Sequence, residues 1–399
     1  MKLKSFKKTA FIDLAIEPWR GWGNYAKQLC IALISKEWAF PITPYEASIF
    51  DPCSYEWNLM LAAINQKSKD LIKVSKGQPE NQFDYGFYGF GNSNTYDENE
   101  FSLLKGEKKI AIIFFEHSSL KESYINFLKQ FDLVVTGSTW NRSVLAKQGV
   151  TNVVKIIQGV DITYFNQIYP QNLLGSRFII YSGGKLELRK GQDILLKAFK
   201  EFLVVCPNSL LICTWSNDSN SFRDIERSPY TKGVPKSGSP EDIFDWITEQ
   251  GISGDNILVP GTLNTIQISN LMKSADISIF PNRCEGGTNL VAMESLCCGI
   301  PTALSSNSGH LDLLSLGLPG IIPLPCTQTN IKSLHQSNLF NQWQEVSPND
   351  LLKLMLKAYK EEGMLGQYKQ KMNNKMISSL SWKDSFEKLL GEIELIDNS

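Results

Sequence analysis

The sequence predicts an α/β fold made of two Rossmann-like domains, and three observations carry that expectation. Short apolar runs alternate with amphipathic helical stretches from end to end, the pattern of parallel strands joined by helical crossovers. The alternation halts at a polar stretch near residues 166–176 and restarts with Phe178-Ile179-Ile180-Tyr181. The 399 residues suit two domains of ordinary size, and a hydrophobic content of 42% supplies two cores and argues against global disorder.

In the first half, the apolar run in Thr9–Ile16 reads as a strand, followed by a Pro/Trp/Gly turn and a helix over Asn24–Ser35. Helical spacing continues over Tyr55–Ile72, a strand over Phe83–Tyr88, and a polar surface loop over Ser93–Glu107. Ile110–Phe115 is apolar throughout, as a strand buried on both faces should be. A helix over Leu120–Gln130, a strand over Leu133–Thr136, a helix over Asn141–Gln148 and a strand over Val153–Ile157 complete this half. In the second half, strands are expected over Phe178–Tyr181, Ser209–Thr214, Ile257–Val259, Ile277–Phe280 and Pro301–Leu304. Helices are expected over Gln192–Leu203, Asp242–Glu249, Thr265–Lys273 and Leu290–Cys298, with a loop-rich insertion over Asn217–Pro240 and a mostly helical tail over Pro348–Leu395. Ligands of such folds sit beyond the C-terminal ends of the strands, so a cleft between the halves is the expected site.

Charge and composition remove several classes of function. Lys plus Arg number 40 and Asp plus Glu 41, which lacks the basic excess of a nucleic-acid binder. No apolar run approaches the ~18 residues of a membrane span. Asp13, Glu17 and Arg20 interrupt any leader-peptide core, so a cytoplasmic protein is expected. The basic start, Lys2, Lys4, Lys7 and Lys8, is a candidate for peripheral contact with an anionic membrane face. Eight dispersed Cys without C-x-x-C, and only three His, point to reduced thiols and no metal site.

Two segments carry chemistry. In Pro281-Asn282-Arg283-Cys284-Glu285-Gly286-Gly287-Thr288-Asn289, a strand passes through bare backbone into a helix that Thr288 or Asn289 can cap. Backbone N–H groups of a glycine pair just before a helix, as at Gly286 and Gly287, favour an anion such as phosphate. Glu294 has apolar neighbours Leu290, Cys297 and Cys298 on its helical face, so its carboxylate needs partners, and two ribose hydroxyls would serve. In Gly183-Gly184-Lys185-Leu186-Glu187-Leu188-Arg189-Lys190-Gly191, two cations follow a strand and a glycine pair. Lys185 and Lys190 suit a diphosphate leaving group, with Glu187 to Arg189 on the loop face. Leu186 stands where a P-loop requires Ser or Thr.

These segments resemble the E-x7-E region and the G-R-x-x-x-x-K-G loop of retaining GT-B glycosyltransferases, especially glycosyltransferase family 4. Two departures are visible: eight residues separate Glu285 from Glu294, and Lys185 replaces the family's Arg. The resemblance implies two Rossmann-like domains facing a central cleft, over residues 1–168 and 169–378, with residues 379–399 crossing back to the first. It implies that Glu285 touches the donor sugar, that Glu294 binds the ribose, and that Lys185 and Lys190 hold the diphosphate. Gly184, Gly286, Gly287, Thr288, Asn289 and His310 would complete the donor site. His117 would touch the sugar or acceptor, and Gly21 and Gly23 would form a loop on the acceptor side. The implied reaction moves a sugar from a UDP, GDP or ADP sugar to an acceptor hydroxyl with retention, without cofactor or metal, in glycan, polysaccharide or glycolipid synthesis. Two alternatives stand beside it. Gly21-Trp22-Gly23-Asn24-Tyr25-Ala26 has the letters of an NAD-dependent Rossmann oxidoreductase, although Glu17–Arg20 separates the strand from the glycines. A non-catalytic nucleotide-sugar-binding module is the other.

Overall fold

The computed structural model describes residues 8–16, 21–45, 47, 55–75, 82–92, 105–168, 174–217, 220–329, 331, 343–361, 363, 365–367 and 377–398. The chain forms two compact units. Residues up to 115, with 119–158 and 382–399, make the first, and 116–118 with 159–381 make the second.

The first unit holds a five-stranded parallel sheet whose spatial order follows the chain: β1 (Ala10–Asp13), β2 (Gln82–Phe90), β3 (Lys105–Ile113), β4 (Leu133–Thr136) and β5 (Val153–Lys155). Its centre is apolar on both faces, and Ile110 to Ile113 are fully buried. The helices are α1 (Gly21–Ser35), α2 (Tyr55–Ser75), α3 (Glu122–Leu128) and α4 (Thr139–Lys147). The Ser138 side chain accepts from Asn141 N and caps α4, which therefore starts at Thr139, two residues before its expected start. β3 begins at Lys105, so the end of the expected 93–107 loop is strand, while 93–104 lie outside the described residues.

Gly21 and Gly23 do not form the expected loop. They make the first turn of α1, where the Trp22 ring packs 4.8 Å from Phe114 and sets the helix entry. Of the basic start, Lys2, Lys4 and Lys7 lie outside the described residues. Lys8 is engaged inside the unit: its ammonium lies 2.6 Å from Asp397 and over the rings of Trp38 and Tyr85.

The second unit holds a six-stranded parallel sheet: β6 (Phe178–Lys185), β7 (Ser209–Ser216), β8 (Ile257–Leu258), β9 (Ile277–Phe280), β10 (Thr302–Ser305) and β11 (Ile321–Leu324). Their spatial order is β11-β10-β9-β6-β7-β8. The chain runs outward from β6 to β8, then returns to β9 and runs outward the other way. The reversal between β6 and β9 makes a topological switch point, and ligands of open α/β sheets bind beyond the C-terminal ends of the strands at such points. β11 was not expected; Pro323 weakens its strand signal and is tolerated because β11 is an edge. The helices are α5 (Gln192–Val205), α6 (Pro240–Glu249), α7 (Thr265–Lys273), α8 (Leu290–Cys297), α9 (His310–Leu314) and α10 (Pro348–Lys360). β12 (Cys326–Gln328) and β13 (Gln344–Val346) form a small antiparallel pair. Phe199, Phe202, Trp215, Trp246 and Met355 lie in one buried core.

The last helix, α11 (Trp382–Asp397), belongs to the first unit. Tyr25 of α1 meets Trp382 and Phe386 edge-on at 5.6 and 5.3 Å, and Ser385 Oγ donates to Ile157 O at 2.7 Å. Among the described residues, no helix is long and apolar enough to cross a membrane.

Candidate functional site

Two loops meet at the switch point of the second sheet. One leaves β6 at Lys185 and makes a 3-10 turn over Leu188–Lys190 before α5. The other leaves β9 at Phe280 and enters α8 at Leu290. Their backbones are docked, because Arg189 O accepts from the N–H groups of Arg283 (2.6 Å) and Cys284 (3.4 Å). Gly191 closes the turn at φ 69°, and a Cβ there would lie 2.1 Å from Pro281 O, so a side chain has neither the conformation nor the space.

A buried guanidinium fastens the loops from below. Arg283, with no exposed surface, donates bidentately to Asp193 of α5 at 2.8 and 2.7 Å. It also donates to Leu188 O at 2.5 Å and to Glu345 at 2.8 Å. Ser228 Oγ donates to Asp193 and Tyr230 OH to Glu345, so the buried charges are paired and hydrogen-bonded.

Above this clamp lies Glu285, 5% exposed. Its Oε1 receives Lys190 Nζ and Asn282 Nδ2, and Arg189 Nη1 lies 3.4 Å away. Burial alone would raise this carboxyl, but Lys190 and then Arg189 hold it at about 2. Among the described residues, no donor reaches Oε2. A closed ring fixes the backbone beneath: Glu285 N donates to Ser308 Oγ (2.8 Å), Ser308 to Asn307 Oδ1 (2.8 Å), Asn307 Nδ2 to Asn282 O (3.0 Å), and Asn282 returns to Glu285. Gly309 packs so closely on Gly287 O that a Cβ would come within 1.6 Å.

Glu187 and Arg189, expected on the loop face, are partly buried and turn to charged partners within the unit. Arg189 Nε lies 2.7 Å from Glu187 Oε2, close enough for an ion pair but off the line of a hydrogen bond. Ser221 Oγ donates to the other oxygen. Burial would raise Glu187, but Arg189, Lys190 and Lys185 pull it below the usual carboxylate range. Arg189 also stands 3.5 Å from Glu116.

Glu294 presents the opposite case. It is half-buried on α8, and its carboxylate has no hydrogen bond or ion pair among the described residues. Burial, with the Asp161 carboxylate adding to it, pushes its pKa up to about 8. Three expected ligand contacts instead turn inward. Thr288 is fully buried and donates to Met293 Sδ at 3.0 Å. Asn289, at φ 67°, caps α8 through Oδ1 and donates through Nδ2 to His310 Nε2 at 3.1 Å. His310 is fully buried, and its Nδ1 lies 2.9 Å from Ser305 Oγ. Burial lowers it to about 4, so it is neutral and Nδ1 carries the proton. These side chains hold together the loop that carries Gly286 and Gly287.

The structure thus brings Lys190 onto Glu285 and Asn289 onto His310. Gly184 and Lys185 end β6, with Lys185 exposed. His117 is buried in the 116–118 segment, while Gly21 and Gly23 belong to the other unit. Asn282, Arg189, Arg283 and Ser308 were not singled out from sequence; only Pro281-Asn282-Arg283 at a strand end offered a signal. Among the described residues, the seven cysteines other than Cys53 are free thiols, and no cluster of three or more His, Cys, Asp or Glu could hold a metal.

The family described as Glycosyl transferases group 1 matches residues 166–337. Sucrose-phosphate synthase from Thermosynechococcus elongatus superposes with a TM-score of 0.64 at 14% identity, covering 98% of this chain and 99% of that one. HepE from Anabaena, solved in complex with UDP and glucose, also gives 0.64 at 14% identity over 97% and 99%. A glycosyltransferase from Rickettsia africae gives 0.57 at 13% over 99% and 100%. No curated protein matches the sequence.

Proposed function

With residues 166–337 matching the glycosyl transferases group 1 family in a chain of GT-B fold, we propose that this protein is a retaining glycosyltransferase. It moves a sugar from a nucleotide-diphosphate sugar to an acceptor hydroxyl in glycan, polysaccharide or glycolipid synthesis. The observation that carries this reading is the pairing of Lys190 with Glu285 at the β6/β9 switch point, which sets a cation for phosphate beside a carboxylate for sugar hydroxyls. UDP is the nucleotide of choice, because HepE was solved with UDP and with UDP-glucose.

In this reading the bare backbone at Gly286 and Gly287, just before α8, receives phosphate oxygens. Lys190 and Lys185 stabilise the charge that builds on the diphosphate as its bond to the anomeric carbon breaks. The acceptor oxygen bonds to that carbon on the same face, and its proton passes to the departing phosphate oxygen. Glu285 stays ionised throughout and holds the sugar through hydroxyl hydrogen bonds. Glu294 accepts from the two ribose hydroxyls, which suits a carboxylate with no partner of its own.

The test is calorimetric titration with UDP, GDP, ADP and their glucose conjugates, followed by NMR assignment of the product anomer. UDP-glucose binding that weakens about tenfold in Lys190→Ala is expected, with the donor's anomeric configuration kept in the product. Binding of none of these nucleotides, or an inverted product, would sink the reading.

A further inference from the structure

We infer that Arg189 and Asn282 are positioning residues that present Glu285 to the donor sugar, an inference that rests on the reading above. The geometry is asymmetric: Lys190, Asn282 and Arg189 all converge on Oε1, and none reaches Oε2. A carboxylate held at one oxygen by two hydrogen bonds and an ion pair cannot turn about its last torsion without losing them together. Its second oxygen therefore keeps one direction and accepts from a hydroxyl that comes to it.

Lys190 cannot do this alone, because its flexible ammonium is the cation that a diphosphate would compete for. Asn282 and Arg189 are held in place by further partners within the unit. Asn282 is 1% exposed and closes the ring through Asn307 and Ser308. The Arg189 fork is anchored at its other nitrogen by Glu187 and fixed at its backbone by Arg283 and Cys284. The ligand class is a neutral sugar hydroxyl, since a second anion would be repelled by Glu285. These two residues should therefore set the gain in affinity that the sugar adds to the nucleotide, and leave nucleotide affinity alone.

The experiment compares UDP and UDP-glucose binding to the full chain carrying Arg189→Gln, Arg189→Lys or Asn282→Ala. The Arg189 side chain is partly exposed, so its variants should fold, and melting curves check each. UDP affinity should stay within about twofold, while UDP-glucose affinity falls about tenfold in Arg189→Gln and Asn282→Ala and partly recovers in Arg189→Lys. Parallel losses for both ligands, or no loss for either, would overturn the positioning role and leave the transferase reading standing. A wild-type protein that binds none of the nucleotide sugars would remove that reading and this inference together.

Discussion

Glu285 and Glu294 sit in neighbouring parts of one strand–loop–helix unit, yet their surroundings push their acidities in opposite directions. Cations beside Glu285 hold it near 2, while burial and Asp161 lift Glu294 to about 8. In the proposed function ribose hydroxyls donate to the ionised form of Glu294, so nucleotide affinity should tighten as pH rises from about 6 to 9 and level off above. Glu294→Gln should flatten that dependence and weaken binding about tenfold; titrations across pH check both. The linkage to stability has the opposite sign. A carboxyl raised in the folded state makes the native protein bind more protons than the unfolded chain, so stability falls as pH climbs from the ordinary value of 4.5 towards 8. The melting temperature of the wild type should decline over that window relative to Glu294→Gln. Arg283 gives a prediction of another kind. Arg283→Met leaves Asp193 buried without its partner and should cost about 3–5 kcal/mol in denaturant unfolding.

Elements show where sequence reading succeeds and where it stops. The strands from Phe178, Ser209 and Ile277 were legible because burial on both faces demands unbroken apolar runs. The cap on α8 was legible because Asn289 precedes an apolar helix. β12 and β13 were not, since Cys326-Thr327-Gln328 and Gln344-Glu345-Val346 are short and polar and are fixed only by pairing with each other. Glu285 and Lys190 could be picked out as charges in suggestive loops, but their contact spans two loops and is set by the sheet reversal. Arg189 was misread for the same reason: its carboxylate partners come from three separate segments. The Leu188–Lys190 turn depends on Gly191 more than on any side chain. Gly191→Ala should cost about 1–3 kcal/mol for its left-handed backbone, with more from the Pro281 carbonyl. Because the turn carries Lys190, UDP affinity should fall with it, which titration of the folded variant will read.

The whole molecule has two cores with different chain economies. The second unit is almost one continuous segment, whereas the first is completed by α11 from the far end of the sequence. Phe386 is nearly fully buried against Tyr25 and stacks on Trp382 at 5.5 Å. Phe386→Ala should therefore cost about 3–5 kcal/mol, drawn from the first unit, and calorimetry should show one transition moving down while UDP stabilisation of the other persists. An unchanged melting profile would mean that α11 contributes little to that core.

The discontinuity of the first unit also sets a schedule for biosynthesis. About 240 residues separate Gln158 from the end of α11. At the usual pace of ~5–20 residues per second, the ribosome takes roughly 10–50 s to make them. Throughout that interval the five-stranded sheet has emerged, but the Tyr25 face of α1 still lacks its cover. The first unit is thus completed only after residues 159–381 of the second have been made, and until α11 arrives the nascent chain carries an apolar face at Tyr25 that α11 later covers.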